Sequence, residues 1–238
     1  MRIILSAFCL LALACGSPDS DSGPAAQDTP APTPGEAPAP PPDEPVVVFM
    51  GTSLTAGLGL LREEDTYVAQ LAELARERGL PMRAVNAGVS GETSAGGLRR
   101  IEWVLRDSLD ILFLELGAND GLRGQDPDAT RSNLEQIVET TRRRYPEARI
   151  LIAAMEAPPN LGDRYTRDFR EVFPEVATSA DAALVPFILE GIAGVPSLNQ
   201  SDGIHPTAEG HRRMAENIWT VLGPTLEAWY EAREGTRP

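Results

Sequence analysis

From residue 46 onward, five short apolar runs alternate with stretches of helical period, and this alternation leaves few folds open. The runs are Val46–Met50, Met82–Val85, Ile111–Leu116, Ile150–Met155 and Ala183–Val185. An unbroken apolar strand has to be buried on both faces, which is the condition of a parallel sheet covered by helices. Between the runs, apolar residues return every three or four positions: Tyr67, Leu71 and Leu74; Leu98, Ile101 and Leu105; Leu134, Ile137 and Val138; Tyr165, Phe169, Val172 and Val176. Gly79 and Pro81 stop the first of these segments, and a final one runs from about Thr207 past Trp219 with Met214, Ile218 and Leu222 on one face. The pattern predicts a doubly wound α/β domain over 46–238 with a five-stranded parallel sheet, and ligands in such sheets bind beyond the carboxyl ends of the strands.

The first 45 residues read differently. Met1–Arg2 precedes a run from Ile3 to Ala14 interrupted only by Ser6, too short for a bilayer span of about 20 residues and suited to a signal peptide over 1–14. Leu11-Ala12-Leu13-Ala14-Cys15 resembles a bacterial lipoprotein signal, although Ala12 stands where that pattern prefers Leu, and an ordinary secretory signal is the alternative. The resemblance implies a lipidated Cys15 holding the protein on a membrane of the bacterial cell envelope, with a periplasmic or secreted protein as the other outcome. Residues 16–45 hold ten Pro, six acidic residues and no Arg, so 15–45 is expected to be an extended acidic tether.

Composition removes several function classes. All 21 basic residues are Arg, which excludes a Lys nucleophile, a Schiff base and a phosphate-loop lysine. A net charge of −14 argues against nucleic acid as a partner. The only cysteines are Cys9 and Cys15, so the folded part has no disulfide, no thiolate nucleophile and no Cys metal site. With two His and no thiol in the domain, a zinc site would depend on carboxylates, and neither a metal nor an organic cofactor is expected.

The unusual residues cluster at the predicted strand ends. Ser53, in Gly51-Thr52-Ser53-Leu54, follows the first strand, where it can serve as a helix cap or as a nucleophile. A serine nucleophile needs a base, and only His205 and His211 are available. His205 lies in Ser201-Asp202-Gly203-Ile204-His205-Pro206, with Asp202 three residues upstream to orient it; His211, flanked by Arg212 in a helix, suits a packing role. Asn86-Ala87-Gly88-Val89-Ser90-Gly91-Glu92-Thr93 follows the second strand, and its glycines allow a backbone N–H to face the cleft. Gly117-Ala118-Asn119-Asp120 follows the third and offers an amide side chain. Taken singly, each block has an ordinary reading as a tight turn, an Asx-turn or a cap; for the set to carry no chemistry, all three ordinary readings would have to hold together at successive strand ends.

Together, these four blocks resemble the GDSL, or SGNH, hydrolase superfamily, in the right order and across nearly all of 46–238. The resemblance implies a three-layer α/β/α, flavodoxin-like fold. It further implies Ser53 as nucleophile, His205 as base and later acid, Asp202 as its partner, and an oxyanion hole made by the Ser53 and Gly91 amides with the Asn119 side chain. Glu115 to Gly124, Pro158-Pro159-Asn160 and Arg164-Tyr165 are similar to the bacterial thioesterase/lysophospholipase/arylesterase branch. On that basis the expected partner is a small-molecule or lipid acyl ester, the expected state a monomer, and the chemistry an acyl-enzyme formed on Ser53. Thr52 departs from the family's usual Asp before the nucleophile, and a modest change in loop packing or rate is expected from it. Leu60, Leu61, Leu161, Val195 and Leu198 are candidates to line an acyl groove. The alternatives are a carbohydrate O-acetyl esterase of the same superfamily and a tethered binding module with a vestigial site.

Overall fold

The computed structural model describes residues 44–234. The expected leader, Cys15 and all of the tether before Glu44 lie outside the described residues.

Five strands form one sheet: β1 (Val46–Gly51), β2 (Arg83–Gly88), β3 (Ile111–Glu115), β4 (Arg149–Ala153) and β5 (Ala183–Val185). Their order is β2-β1-β3-β4-β5 and every pairing is parallel. Each parallel step needs a crossover, and the helical segments supply them: α2 (Tyr67–Glu77), α3 (Ser94–Val104), α5 (Pro127–Arg144) and α6 (Asp163–Ser179), with α7 (Ala208–Glu234) closing the chain. Among the helices, α2 packs on α7, α3 on α5 and α5 on α6, giving helical layers around the sheet. The three-layer α/β expectation holds.

The apolar runs behave as their composition requires. All six residues of β1 and all five of β3 are buried, and Phe49, Phe113 and Tyr67 meet with ring centroids 5.4–6.1 Å apart. The helix starts are capped by side-chain oxygens. The Thr66 hydroxyl accepts the Ala69 N–H at 3.2 Å, Thr93 caps α3 through Gly96, and Asp126 caps α5 ahead of Pro127. Gly79, at φ +73°, takes the left-handed conformation just past the end of α2, as a helix-stop glycine should.

Boundaries differ in two instructive places. β2 was expected to end at Val85 but continues to Gly88, because its register pairs Gly88 with Gly51 and the backbones can approach there. A Cβ at Gly88 would lie 2.3 Å from the Ala56 nitrogen, so only glycine lets the strand pass under the turn that follows β1. Two one-turn helices, α1 (Ser53–Ala56) and α4 (Ala118–Leu122), occupy stretches whose period is too short to detect. Both begin directly beyond a central strand, at the carboxyl edge where β1 and β3 lie side by side and the direction of winding reverses.

Candidate active site

Ser53 is the first residue of α1, separated from the end of β1 at Gly51 by the buried Thr52. The turn that holds it is anchored from below by Glu115, the last residue of β3 and fully buried. The Glu115 carboxylate accepts the Thr52 N–H at 2.8 Å, the Thr52 hydroxyl at 2.9 Å, the Thr55 hydroxyl at 2.7 Å and the Thr55 N–H at 3.3 Å. Thr55 Oγ1 also meets the Tyr67 hydroxyl at 2.6 Å. Burial pushes the Glu115 carboxyl above its usual range, and the Thr52 and Thr55 hydrogen bonds pull it back. Gly51 leaves room for this cluster, since a Cβ there would sit 2.0 Å from Thr55 Oγ1. Glu115 is a site residue to which sequence reasoning gave no role; its signal was a lone carboxylate closing an otherwise apolar strand.

Asp202, His205 and Ser53 stand in line. The Ser53 hydroxyl lies 2.9 Å from His205 Nε2, and His205 Nδ1 lies 2.6 Å from Asp202 Oδ2. A carboxylate only accepts, so the imidazole proton belongs on Nδ1 and Nε2 is left as the acceptor for the serine proton. Asp202 is fixed by more than the ring: its Oδ1 takes the main-chain N–H of Ile204 at 2.9 Å and of His205 at 3.0 Å. These bonds, the His205 side chain first, hold its carboxyl far below the ordinary carboxylate range.

The other two blocks converge on the same edge. Gly91 has φ +78°, which favours glycine, and its carbonyl accepts Arg123 Nη2 at 3.0 Å. The adjoining Glu92 pairs with Arg100, which also bonds the Ala87 carbonyl, so the β2–α3 loop is tied down on both sides. The Asn119 amide donates one hydrogen to the Glu92 carbonyl at 3.0 Å. An amide nitrogen has two hydrogens, so one bond fixes Asn119 and a second remains to be given. Asp120 takes the ordinary role weighed for it: it is buried and accepts the Ser94 N–H at 2.8 Å and the Ser94 hydroxyl at 2.5 Å, capping α3.

Ser53, Gly91, Asn119 and His205 share the wall of a cavity of about 320 Å³ whose remaining lining is mostly apolar, including Leu54, Leu58, Leu122, Met155, Phe187 and Ile204. None of the five residues expected to form an acyl groove, Leu60, Leu61, Leu161, Val195 and Leu198, lines it. The reason is local geometry. α1 ends after one turn at Gly57, which turns Leu54 and Leu58 toward the nucleophile and leaves Leu61 almost fully exposed beyond the Gly59 turn. A larger hollow of about 840 Å³ lies on the α2–α7 side, lined by Glu73, Glu77, Arg212 and Glu216, and contains none of the strand-end residues.

A triad-like line at a parallel-sheet edge occurs on unrelated folds, so the family is decided by the sequence as a whole. Residues 49–213 match the family model described as "GDSL-like Lipase/Acylhydrolase family". The chain belongs to that family. Among its relatives, Esterase TesA of Pseudomonas aeruginosa is 40% identical over 181 residues, covering 76% of this chain and 89% of TesA. Thioesterase 1/protease 1/lysophospholipase L1 of Escherichia coli is 33% identical over 181 residues, covering 76% of this chain and 84% of that protein. A crystal structure of TesA superposes with a TM-score of 0.71 at 39% identity, covering 75% of this chain and 98% of that one. This GDSL-family member is an ester-bond hydrolase of the esterase and thioesterase type.

Proposed function

We propose that this hydrolase cleaves carboxylic esters or thioesters of acyl chains longer than acetyl, through an acyl-enzyme on Ser53. The observation that carries the reading is the line of two hydrogen bonds from Ser53 through His205 to Asp202, with Gly91 and Asn119 on the same cavity wall. His205 Nε2 takes the serine proton as Oγ attacks the acyl carbonyl, and Asp202 stabilises the imidazolium that forms. The carbonyl oxygen becomes an oxyanion, met by the Ser53 and Gly91 amides and the free Asn119 hydrogen, each donor being worth roughly 10² to 10³ in rate. Collapse returns the proton from His205 to the leaving oxygen or sulfur and leaves an ester on Ser53. Water then attacks that ester, with His205 again taking and returning a proton.

The apolar lining supports an acyl tail as the group held. Leu54, Leu58, Leu122, Met155 and Ile204 give a hydrocarbon chain contact and offer a sugar ring few hydrogen bonds, which disfavours an acetyl-only carbohydrate esterase. The test is turnover of p-nitrophenyl esters from acetyl to long acyl by wild type and Ser53→Ala. The expected result is an optimum above acetyl and a loss of about 10⁴-fold or more in the variant. An optimum at acetyl would sink the substrate assignment, and activity retained in Ser53→Ala would sink the nucleophile.

A further inference from the structure

The two loops that supply nucleophile and base are far apart in the chain, Ser53 and His205 being separated by 152 positions. The second loop is a closed unit. Asn199 and Pro206 form an antiparallel bridge across its base, the Gln200 N–H donates to the His205 carbonyl at 2.7 Å, and Asp202 and His205 bond one another inside it. Its base is moored away from the nucleophile, by the buried Asn199 amide on the Ile192 and Val195 carbonyls, so the spacing between its tip and Ser53 is set by other contacts. What holds the tip in place is then the question.

Among the described residues, segments 52–60 and 198–206 share two hydrogen bonds, the Ser53–His205 contact and one from Gln200. The half-buried Gln200 side chain spans the gap: Nε2 donates to the Leu58 carbonyl at 2.8 Å and to the Pro206 carbonyl at 2.9 Å. Leu58 in turn gives its own N–H to the Ser53 carbonyl at 3.0 Å, so one residue links the Gln200 amide to the nucleophile's main chain. Gly59 makes the approach feasible. Its φ is +81°, and a Cβ there would lie 2.1 Å from Gln200 Oε1.

We propose that Gln200 is a positioning residue whose side-chain amide sets the distance between the Ser53 turn and the Asp202–His205 loop. The proposal rests on the triad reading above and says which residue keeps that triad closed. Both of its amide hydrogens are used, one on each loop, so an apolar side chain of the same size removes the partner of two carbonyls and leaves the loops joined by the Ser53–His205 contact alone. Misplacement of reacting groups by about 1 Å costs up to about 10²-fold in rate.

The test compares Gln200→Leu, which keeps the bulk, with Gln200→Asn, which keeps the amide on a stem one methylene too short. On a soluble short-chain p-nitrophenyl ester, both should lose about 10- to 100-fold in kcat with KM within about twofold. Labelling of Ser53 by a fluorophosphonate should slow in proportion. Because the Asp202–His205 pair lies wholly within its loop, the acid limb of the pH–rate profile should stay where it is in wild type. A kcat within twofold of wild type beside a lowered melting temperature would make Gln200 a merely structural bond and overturn the proposal. A loss carried in KM, or a shifted acid limb, would overturn it as well, by assigning Gln200 to substrate binding or to the Asp202–His205 pair. Failure of the triad reading shows separately, as wild-type enzyme that the fluorophosphonate does not label. Should Gln200→Leu not fold, Gly59→Ala crowds Oε1 with Gln200 intact and is expected to give the same kcat-only loss; unchanged kcat there would count against the clasp.

Discussion

His205 and His211 lie six residues apart and use the same ring nitrogen for opposite purposes. In the loop before α7, His205 Nδ1 faces a carboxylate and must donate, which frees Nε2 to accept from Ser53. In the first turns of α7, His211 Nδ1 accepts the main-chain N–H of Tyr67 at 3.1 Å, one of the N–H groups that the start of α2 leaves without an intrahelical partner. His211 is buried and stacks on the Tyr67 ring, centroids 6.1 Å apart. Burial pushes it down to about 4, so it is neutral at pH 7 and acts as a helix cap. What separates a base from a cap is therefore the partner of Nδ1 and whether Nε2 reaches a cavity.

The sharpest way to break this comparison is to truncate each ring. His205→Ala should lower kcat by about 10⁴-fold or more, whereas His211→Ala should leave activity nearly intact at a temperature well below its melting point. Equal losses in steady-state turnover would mean that the two rings do not divide the work as described. A stability measurement sharpens the other half. The folded-state pKa of His211 lies below the unfolded value of about 6.5, so the unfolded chain binds a proton in that interval that the folded chain does not. Stability should thus be fully present above about pH 6.5 and decline as pH falls toward 4, by about 3 kcal/mol from this one group. Chemical denaturation across that window should show the decline in wild type and a flatter curve in His211→Gln; a parallel decline in the variant would assign it to other groups.

The smallest effect is expected beneath the nucleophile. Thr52→Val keeps the shape and the main-chain N–H on Glu115 but removes one hydroxyl donor from a buried carboxylate. That should cost about 1.5–3 kcal/mol, read as a melting temperature lower by several degrees, with kcat within about tenfold of wild type. A thousandfold loss of turnover would show that Thr52 does more than support the loop.

Much of this architecture is written plainly in the chain. The buried runs at β1, β3 and β4 announce a parallel sheet because a strand covered on both faces has no need of polar alternation. The sequence points to Ser53, Gly91 and Asn119 just past strands and to Asp202 and His205 in the loop before the last helix, and the fold brings all five to one edge. What stayed hidden depends on distances between segments remote in sequence. Glu115 gains its meaning only when β3 lies beside β1, and Gln200 only when its loop reaches Leu58. The cavity lining escaped for a similar reason: one turn of helix in α1 decides that Leu58 faces inward and Leu61 does not, and apolar period cannot register a helix of four residues.

The cavity is assembled in two ways, and this bears on how such an enzyme can diverge. Ser53, Gly91 and Asn119 stand at or just past strand ends and are tied to buried partners or paired loops, whereas Leu58, Leu122 and Ile204 reach the same cavity from loop or one-turn-helix positions that are 45–52% exposed. Exchanging one half-exposed apolar side chain for another changes stability by roughly ±0.5 kcal/mol. A lineage can therefore retune which acyl chains it accepts one such residue at a time, while selection holds the strand-end chemistry constant.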